Sequence, residues 1–173
     1  MPILSIRRYG DPILRRRAAP VAEITPEVQR LIDDMVETMY DALGIGLAAT
    51  QVGVALRVLV VDAGGGAVRT YINPEIVERH GEVVGEEGCL SLPGIFADVA
   101  RAERVVVEAR DREGRPVRER AEGLLARVFQ HEIDHLDGIL FIDRLDKVSR
   151  DRIKRRIKKE GLPDEMPAGA TAL

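Results

Sequence analysis

The run from Leu124 to Asp137 contains no Pro or Gly and is followed by Gly138. Leu124, Leu125, Val128, Phe129, Ile133 and Leu136 recur in it at helical spacing, which predicts an α-helix with a broad apolar face. Such a helix has to be covered by the rest of the chain, so the fold is expected to form around it. Within it lies Gln130-His131-Glu132-Ile133-Asp134-His135. At about 100° per residue, His131 and His135 fall one turn apart on the face that also carries Leu124 and Val128. Glu132 lies to the side of that face. Two imidazoles so placed can share one metal ion, and the adjacent carboxylate can reach a water beside it. The same pattern also occurs as two solvated histidines on a surface helix, so the remainder of the sequence has to decide.

The length of 173 residues suits one domain spanning 1–173, with a core of its own. A chain that is 45% hydrophobic and 32% charged reads as globular. No run approaches the roughly 18 apolar residues of a membrane helix. The start, Met1-Pro2-Ile3-Leu4-Ser5-Ile6-Arg7-Arg8, lacks the apolar region of a secretion signal, so a cytoplasmic location is expected. A net charge of −3 argues against a DNA-binding surface. The single cysteine, Cys89, excludes an intramolecular disulfide and leaves one thiol, either a small buried hydrophobe or a ligand.

Thr25-Pro26-Glu27 is a helix start, and Val28, Leu31, Ile32, Met35, Val36, Met39 and Leu43 form one apolar stripe ahead of Gly44. In Gly44-Ile45-Gly46-Leu47-Ala48-Ala49-Thr50-Gln51-Val52-Gly53, small residues this dense let backbone lie against a strand or a ligand. Residues 57–62 and 68–73 predict a hairpin around Gly64-Gly65-Gly66, with Pro74 interrupting the pairing. Residues 76–78 and 82–84 are expected to pair about His80-Gly81, with His80 an exposed turn residue. Residues 104–109 and 116–121 form another pair across Asp111-Arg112-Glu113-Gly114. Ile139-Leu140-Phe141-Ile142 reads as a short buried strand, residues 147–160 as a basic helix, and residues 161–173 as a flexible tail. This order indicates an α+β fold: a mainly antiparallel sheet packed around the central metal-binding helix, with one helix towards each terminus.

A catalytic metal site usually takes three protein ligands and keeps a position for water. The His-x-x-Gly-x-x-His extension of some metallopeptidases fails, because Phe141 stands where its last histidine would be and the only other histidine is His80. Glu160 lies in a basic helix and has little to recommend it. Cys89 is the better candidate, in Glu86-Glu87-Gly88-Cys89-Leu90-Ser91-Leu92-Pro93, a rigid loop or strand end, because a thiolate binds Zn(II) or Fe(II) well.

With Cys89 joined to the two histidines, the chain resembles the peptide deformylases. Gly44 to Gln51, Glu87 to Ser91 and Gln130 to His135 match that family's three motifs in order. The resemblance implies hydrolysis of the formyl group of N-formylmethionine on nascent proteins. It implies a metal held by Cys89, His131 and His135, most often Fe(II), with Zn, Ni or Co as substitutes. Glu132 would be the general base and acid, and the Gln51 amide with the Leu90 N–H would serve as oxyanion donors. Ile45, Gly46, Gly88, Leu124 and Val128 would line the substrate site, the apolar ones forming a pocket for the methionine side chain. Arg127 is expected at the rim with its charge in solvent. Phe96 stands where some relatives carry a basic residue, so no charged contact to substrate is expected from it. Glu87, Asp134 and Arg101 are candidates to orient the ligands, though a structural ion pair explains them as well.

Two competing readings remain at this level. A metallopeptidase accounts for the helix motif but not for Cys89. A binding module is suggested by Lys154-Arg155-Arg156 and Lys158-Lys159, which could touch ribosomal RNA near the nascent chain, or be a solvated helix face.

Overall fold

The computed structural model describes residues 2–64, 66–167, 170 and 172–173. Helix α1 (Pro26–Asp41) begins where the Thr25 hydroxyl oxygen accepts the Val28 N–H at 3.3 Å, with Pro26 at the first helical position. It ends earlier than the apolar stripe suggests. Leu43 takes a left-handed φ of 59° and is 81% exposed, so it is no core residue. Gly44 is small for another reason: a Cβ there would lie 2.7 Å from Leu90 Cδ1.

The strands are β1 (Gly46–Ala48), β2 (Val58–Val61), β3 (Arg69–His80), β4 (Val83–Cys89), β5 (Leu92–Arg101), β6 (Arg104–Arg110) and β7 (Pro116–Glu122). They form an antiparallel five-stranded sheet in the order β1-β2-β3-β6-β7 and a separate hairpin of β4 and β5. Helix α2 (Gly123–Leu136) follows directly from β7, and α3 is Lys147–Glu160. All four residues of β2 are buried because both faces of the sheet are covered there. Leu59 and Val61 pack with Val128 and Phe129 of α2, whereas Val58 and Val60 pack with Ile32, Met35 and Met39 of α1. A third cluster joins Leu92, Ile95 and Val99 of β5 to Phe141 and Ile142, with Ile153 and Ile157 of α3 resting on it. The α+β architecture around α2 is the one expected.

Several local expectations are corrected. Strand β3 continues through Pro74, since its pairing with β6 shifts register between Ile72 and Glu75 and that irregularity absorbs the missing N–H. The segment after His80-Gly81 does not fold back on β3; β4 pairs with β5 across the tight Leu90-Ser91 turn. Residues 139–142 are no strand. Phe141–Arg144 is one 3-10 turn, with Asp143 Oδ2 accepting the Leu140 N–H at 2.9 Å. The end of the expected tail is docked: Ala172 and Leu173 are buried, because an extended apolar backbone there finds partners on Ile45 and Gly88.

The C-terminal end of α2 is held rather than frayed. The Leu136 carbonyl accepts from the Ala18 N–H at 2.8 Å and from Arg57 at 3.0 Å, and Thr50 Oγ donates to the His135 carbonyl at 3.4 Å. Gly138 follows at φ 77°, where a Cβ would lie 2.5 Å from the Arg15 carbonyl oxygen. Among the described residues, no helix is long and apolar enough to cross a membrane.

Candidate active site

Three elements converge on one buried point. Helix α2 supplies His131, Glu132 and His135, the end of β4 supplies Cys89, and the 3-10 turn Ala49–Val52 supplies Gln51; all are essentially inaccessible. One donor atom from each of Cys89, His131 and His135 lies within 4.8 Å of the others, and Cys89 Sγ is 3.4 Å from His135 Nε2. The sulfur is oriented by the Ser91 N–H at 3.4 Å and by Gln51 Nε2 at 3.7 Å. The donor set is therefore a thiol and two imidazoles aimed at a common centre.

His131 Nε2 and both carboxylate oxygens of Glu132 are buried without a hydrogen-bond partner. Buried polar atoms are rarely left so, since each costs of order 1–3 kcal/mol. A cation accepted by Cys89, His131 and His135 would use the imidazole nitrogen, and a water next to it would reach Glu132, so the residues fit a single metal ion. Burial drives the His135 pKa well below its ordinary value, whereas at His131 burial is outweighed by Cys89 and Glu87 and the pKa rises to about 10, so a metal there would displace a proton. Burial also raises the Glu132 pKa to about 7. Its side chain lies across Gly46, where a Cβ would meet Glu132 Oε2 at 2.8 Å and Val128 Cγ1 at 3.0 Å. Lacking a side chain, Gly46 leaves that space to the Glu132 carboxylate.

Behind the ligands runs a chain of ion pairs. His131 Nδ1 is 2.9 Å from Glu87 Oε1, so Nε2 is the nitrogen free for a metal. Arg101 grips Glu87 through two bonds of 2.8 and 2.9 Å and Asp134 through one of 2.7 Å, and Arg144 closes the series on Asp134. Burial alone would raise the Glu87 carboxyl, but the hydrogen bonds and charges of Arg101 and His131 outweigh it and hold the pKa at about 2. Glu87, Asp134 and Arg101 are all in this network. Gln130 adds a two-way bond to the Ala102 backbone, 2.9 Å each way, which fixes α2 against the β5–β6 connection.

Arg127 is a correction. It is only 8% exposed, and its guanidinium donates to Glu87 Oε2 at 2.7 Å and to the carbonyls of Val83, Gly85 and Val99. The β4–β5 hairpin offers it three backbone carbonyls and a buried anion, which outweigh solvation. Helical period alone gives no sign of this; the available signal was Glu87, an acid in a Gly-flanked motif that needs a cation once buried. Arg144, ten residues beyond Asp134, carries no sequence signal of its bond to it either.

Of the remaining candidates, Leu90 lies in the turn just after Cys89, Gly88 and Val128 are buried, and Ile45 is partly covered. Leu124 is 49% exposed on the first turn of α2 and belongs to none of the buried clusters.

The family model described as polypeptide deformylase matches residues 3–151. A peptide deformylase of Alkalilimnicola ehrlichii is 57% identical over 162 residues, covering 92% of this chain and 91% of that protein. The crystal structure of peptide deformylase from Thermus thermophilus superposes with a TM-score of 0.87 at 50% identity, covering 91% and 95% of the two chains. That of Synechococcus elongatus in complex with actinonin gives 0.85 at 42% identity, covering 95% and 89%. On the match of sequence and fold together, the chain belongs to the peptide deformylase family, hydrolases that remove the formyl group from formyl-Met peptides.

Proposed function

We propose that the chain acts as one catalytic domain that hydrolyses the formyl group of N-formylmethionine on nascent proteins in the cytoplasm, using one divalent metal ion held by Cys89, His131 and His135. The observation that carries this reading is the convergence of those three donor atoms beside a Glu132 carboxylate that has no protein partner. A thiolate with two imidazoles suits Fe(II), which the family resemblance favours, and also accepts Zn, Ni or Co. When bound, the ion supplies the Lewis acidity that acidifies water and polarises a carbonyl.

The protein groups have separable tasks. Glu132, with a pKa near neutrality, takes a proton from the attacking water as its oxygen bonds to the formyl carbon. The carbonyl oxygen becomes negative, and the donors proposed to meet it are the Leu90 N–H and the Gln51 Nε2–H that is released from Ser91 Oγ, 3.1 Å away. Glu132 then passes the proton to the methionine nitrogen as the C–N bond breaks, leaving formate and a free amine. Ile45 and Val128 form the apolar wall for the methionine side chain, with Leu124 at its mouth and the backbone of Gly46 and Gly88 against the peptide. Glu87 and Arg101 keep the His131 ring in its orientation.

Protein purified without oxygen is expected to carry about one metal per chain and to release formate from formyl-Met-Ala-Ser. A chelator should abolish release, and Fe(II) should restore it. Metal bound at that ratio with no formate released would sink the proposal.

Lys154, Arg155, Arg156, Lys158 and Lys159 are exposed along α3 while Ile153 and Ile157 face the core. We propose that this basic face meets ribosomal RNA. Changing Lys154, Arg155 and Lys158 to Glu should abolish salt-sensitive cosedimentation with ribosomes while leaving hydrolysis of formyl-Met-Ala-Ser unchanged. Cosedimentation that persists would remove the idea.

A further inference from the structure

Residues 172 and 173 lie in the groove that the proposed function gives to substrate. The Ala172 carbonyl accepts the Ile45 N–H at 3.3 Å, and the Leu173 N–H donates to the Gly88 carbonyl at 3.1 Å. Ala172 also forms a parallel bridge with Gly44. One of these partners is in the first sequence motif, and the other directly precedes the ligand Cys89, so the segment joins the two walls of the site. Main-chain bonds of this kind hold an extended peptide of any sequence. Side-chain selection comes from the pocket. Leu173, 3% exposed, belongs to the cluster of Val128 and Phe129 against which Ile45 and Leu125 pack. Leucine is close in volume to methionine.

From these contacts we propose that Ala172 and Leu173 act as an internal peptide ligand, occupying the substrate groove until a formylated peptide displaces them. The inference rests on the reading of Ile45, Gly88 and Val128 as substrate-binding. Leu162 and Met166 pack on the core clusters, so the ligand is tethered to the body by the short stretch that follows Met166. A tether of that length gives an effective concentration in the millimolar range, enough for a weak peptide to compete. Two backbone bonds and the side chains of Ala172 and Leu173 make the hold reversible. The apparent affinity of substrate is then reduced by the fraction of molecules with the groove open. Nothing in the chemistry itself changes, so the effect falls on KM and not on kcat.

Two variants and one direct readout test this. A chain ending at Pro167, and the full chain with Leu173→Asp, should each lower KM for formyl-Met-Ala-Ser by roughly three- to tenfold with kcat within about twofold. In the unaltered protein the Leu173 amide should be protected from hydrogen exchange, and saturating Met-Ala-Ser, the product peptide, should remove that protection. Exchange of Leu173 at the rate of a free peptide overturns the proposal whether or not the protein releases formate. Unchanged KM in both variants, or protection that survives saturating Met-Ala-Ser, also overturns it. If Leu173 is protected and released by Met-Ala-Ser while the metal-loaded protein makes no formate, the internal ligand stands and the deformylase reading falls.

Discussion

Glu132→Gln is expected to lower kcat for formyl-Met-Ala-Ser by on the order of 10²–10⁴, with metal content unchanged and KM within a few fold. Glutamine keeps the shape of the side chain that lies across Gly46, so the packing with Gly46 and Val128 survives. None of Cys89, His131 and His135 is altered, so their donor atoms remain together. What is lost is the ability to take and return a proton. The wild-type group is suited to that work, since burial brings its pKa to about 7, where it can act as base and then as acid near neutral pH. The same burial means that an ionised Glu132 is a cost to the fold. The variant should therefore unfold at an equal or higher temperature, the opposite of what a damaged fold would give. Full activity in Glu132→Gln would exclude the carboxylate from proton transfer. Loss of metal would show instead that it helps to hold the ion.

Much of this site is legible in the sequence because it is local. His131, Glu132 and His135 share one helix whose period and bounding glycines are explicit, and the 3.6-residue repeat fixes which of them face together. The same holds for the β6–β7 hairpin, whose Asp111-Arg112-Glu113-Gly114 turn needs no tertiary context. Elements that fail do so where distant chain decides. Pro74 breaks an isolated strand, yet β6 offers a partner with an irregular register that accommodates it. His80-Gly81 looks like a hairpin turn, but β4 finds β5 through the Cys89–Leu92 turn instead. Four apolar residues at 139–142 carry no period that separates strand from turn, and Asp143 closes the 3-10 geometry. Arg127 lies on the correct helix but its partner Glu87 lies on another element, so no helical wheel could bury it. The docked Ala172 and Leu173 are the extreme case, since their partners are Ile45 and Gly88, more than eighty residues away.

That long-range network also yields the largest expected loss of stability. Glu87 is completely buried at its side chain and faces three cationic or proton-donating partners, Arg101, Arg127 and His131, within 2.9 Å. Removing the carboxylate by Glu87→Ala leaves two guanidinium groups buried with their best anion gone. Breaking a buried pair in this way typically costs about 3–5 kcal/mol. For a chain of this size that corresponds to a fall in Tm of roughly 10 °C. Arg127 keeps the carbonyls of Val83, Gly85 and Val99, and Arg101 keeps Asp134, so the damage should centre on the β4–β5 hairpin and on His131. Metal should then be held more weakly, by about 10- to 100-fold, because His131 Nδ1 loses the acceptor that orients the ring. Glu87→Gln separates the two effects: its amide oxygen can still accept from His131, but it carries no charge for Arg101 and Arg127. Metal affinity should recover further than Tm in that variant. Thermal unfolding and metal titration on both variants measure this, and a Tm unchanged in Glu87→Ala would mean that the arginines find water or other anions and that the network does not support the site.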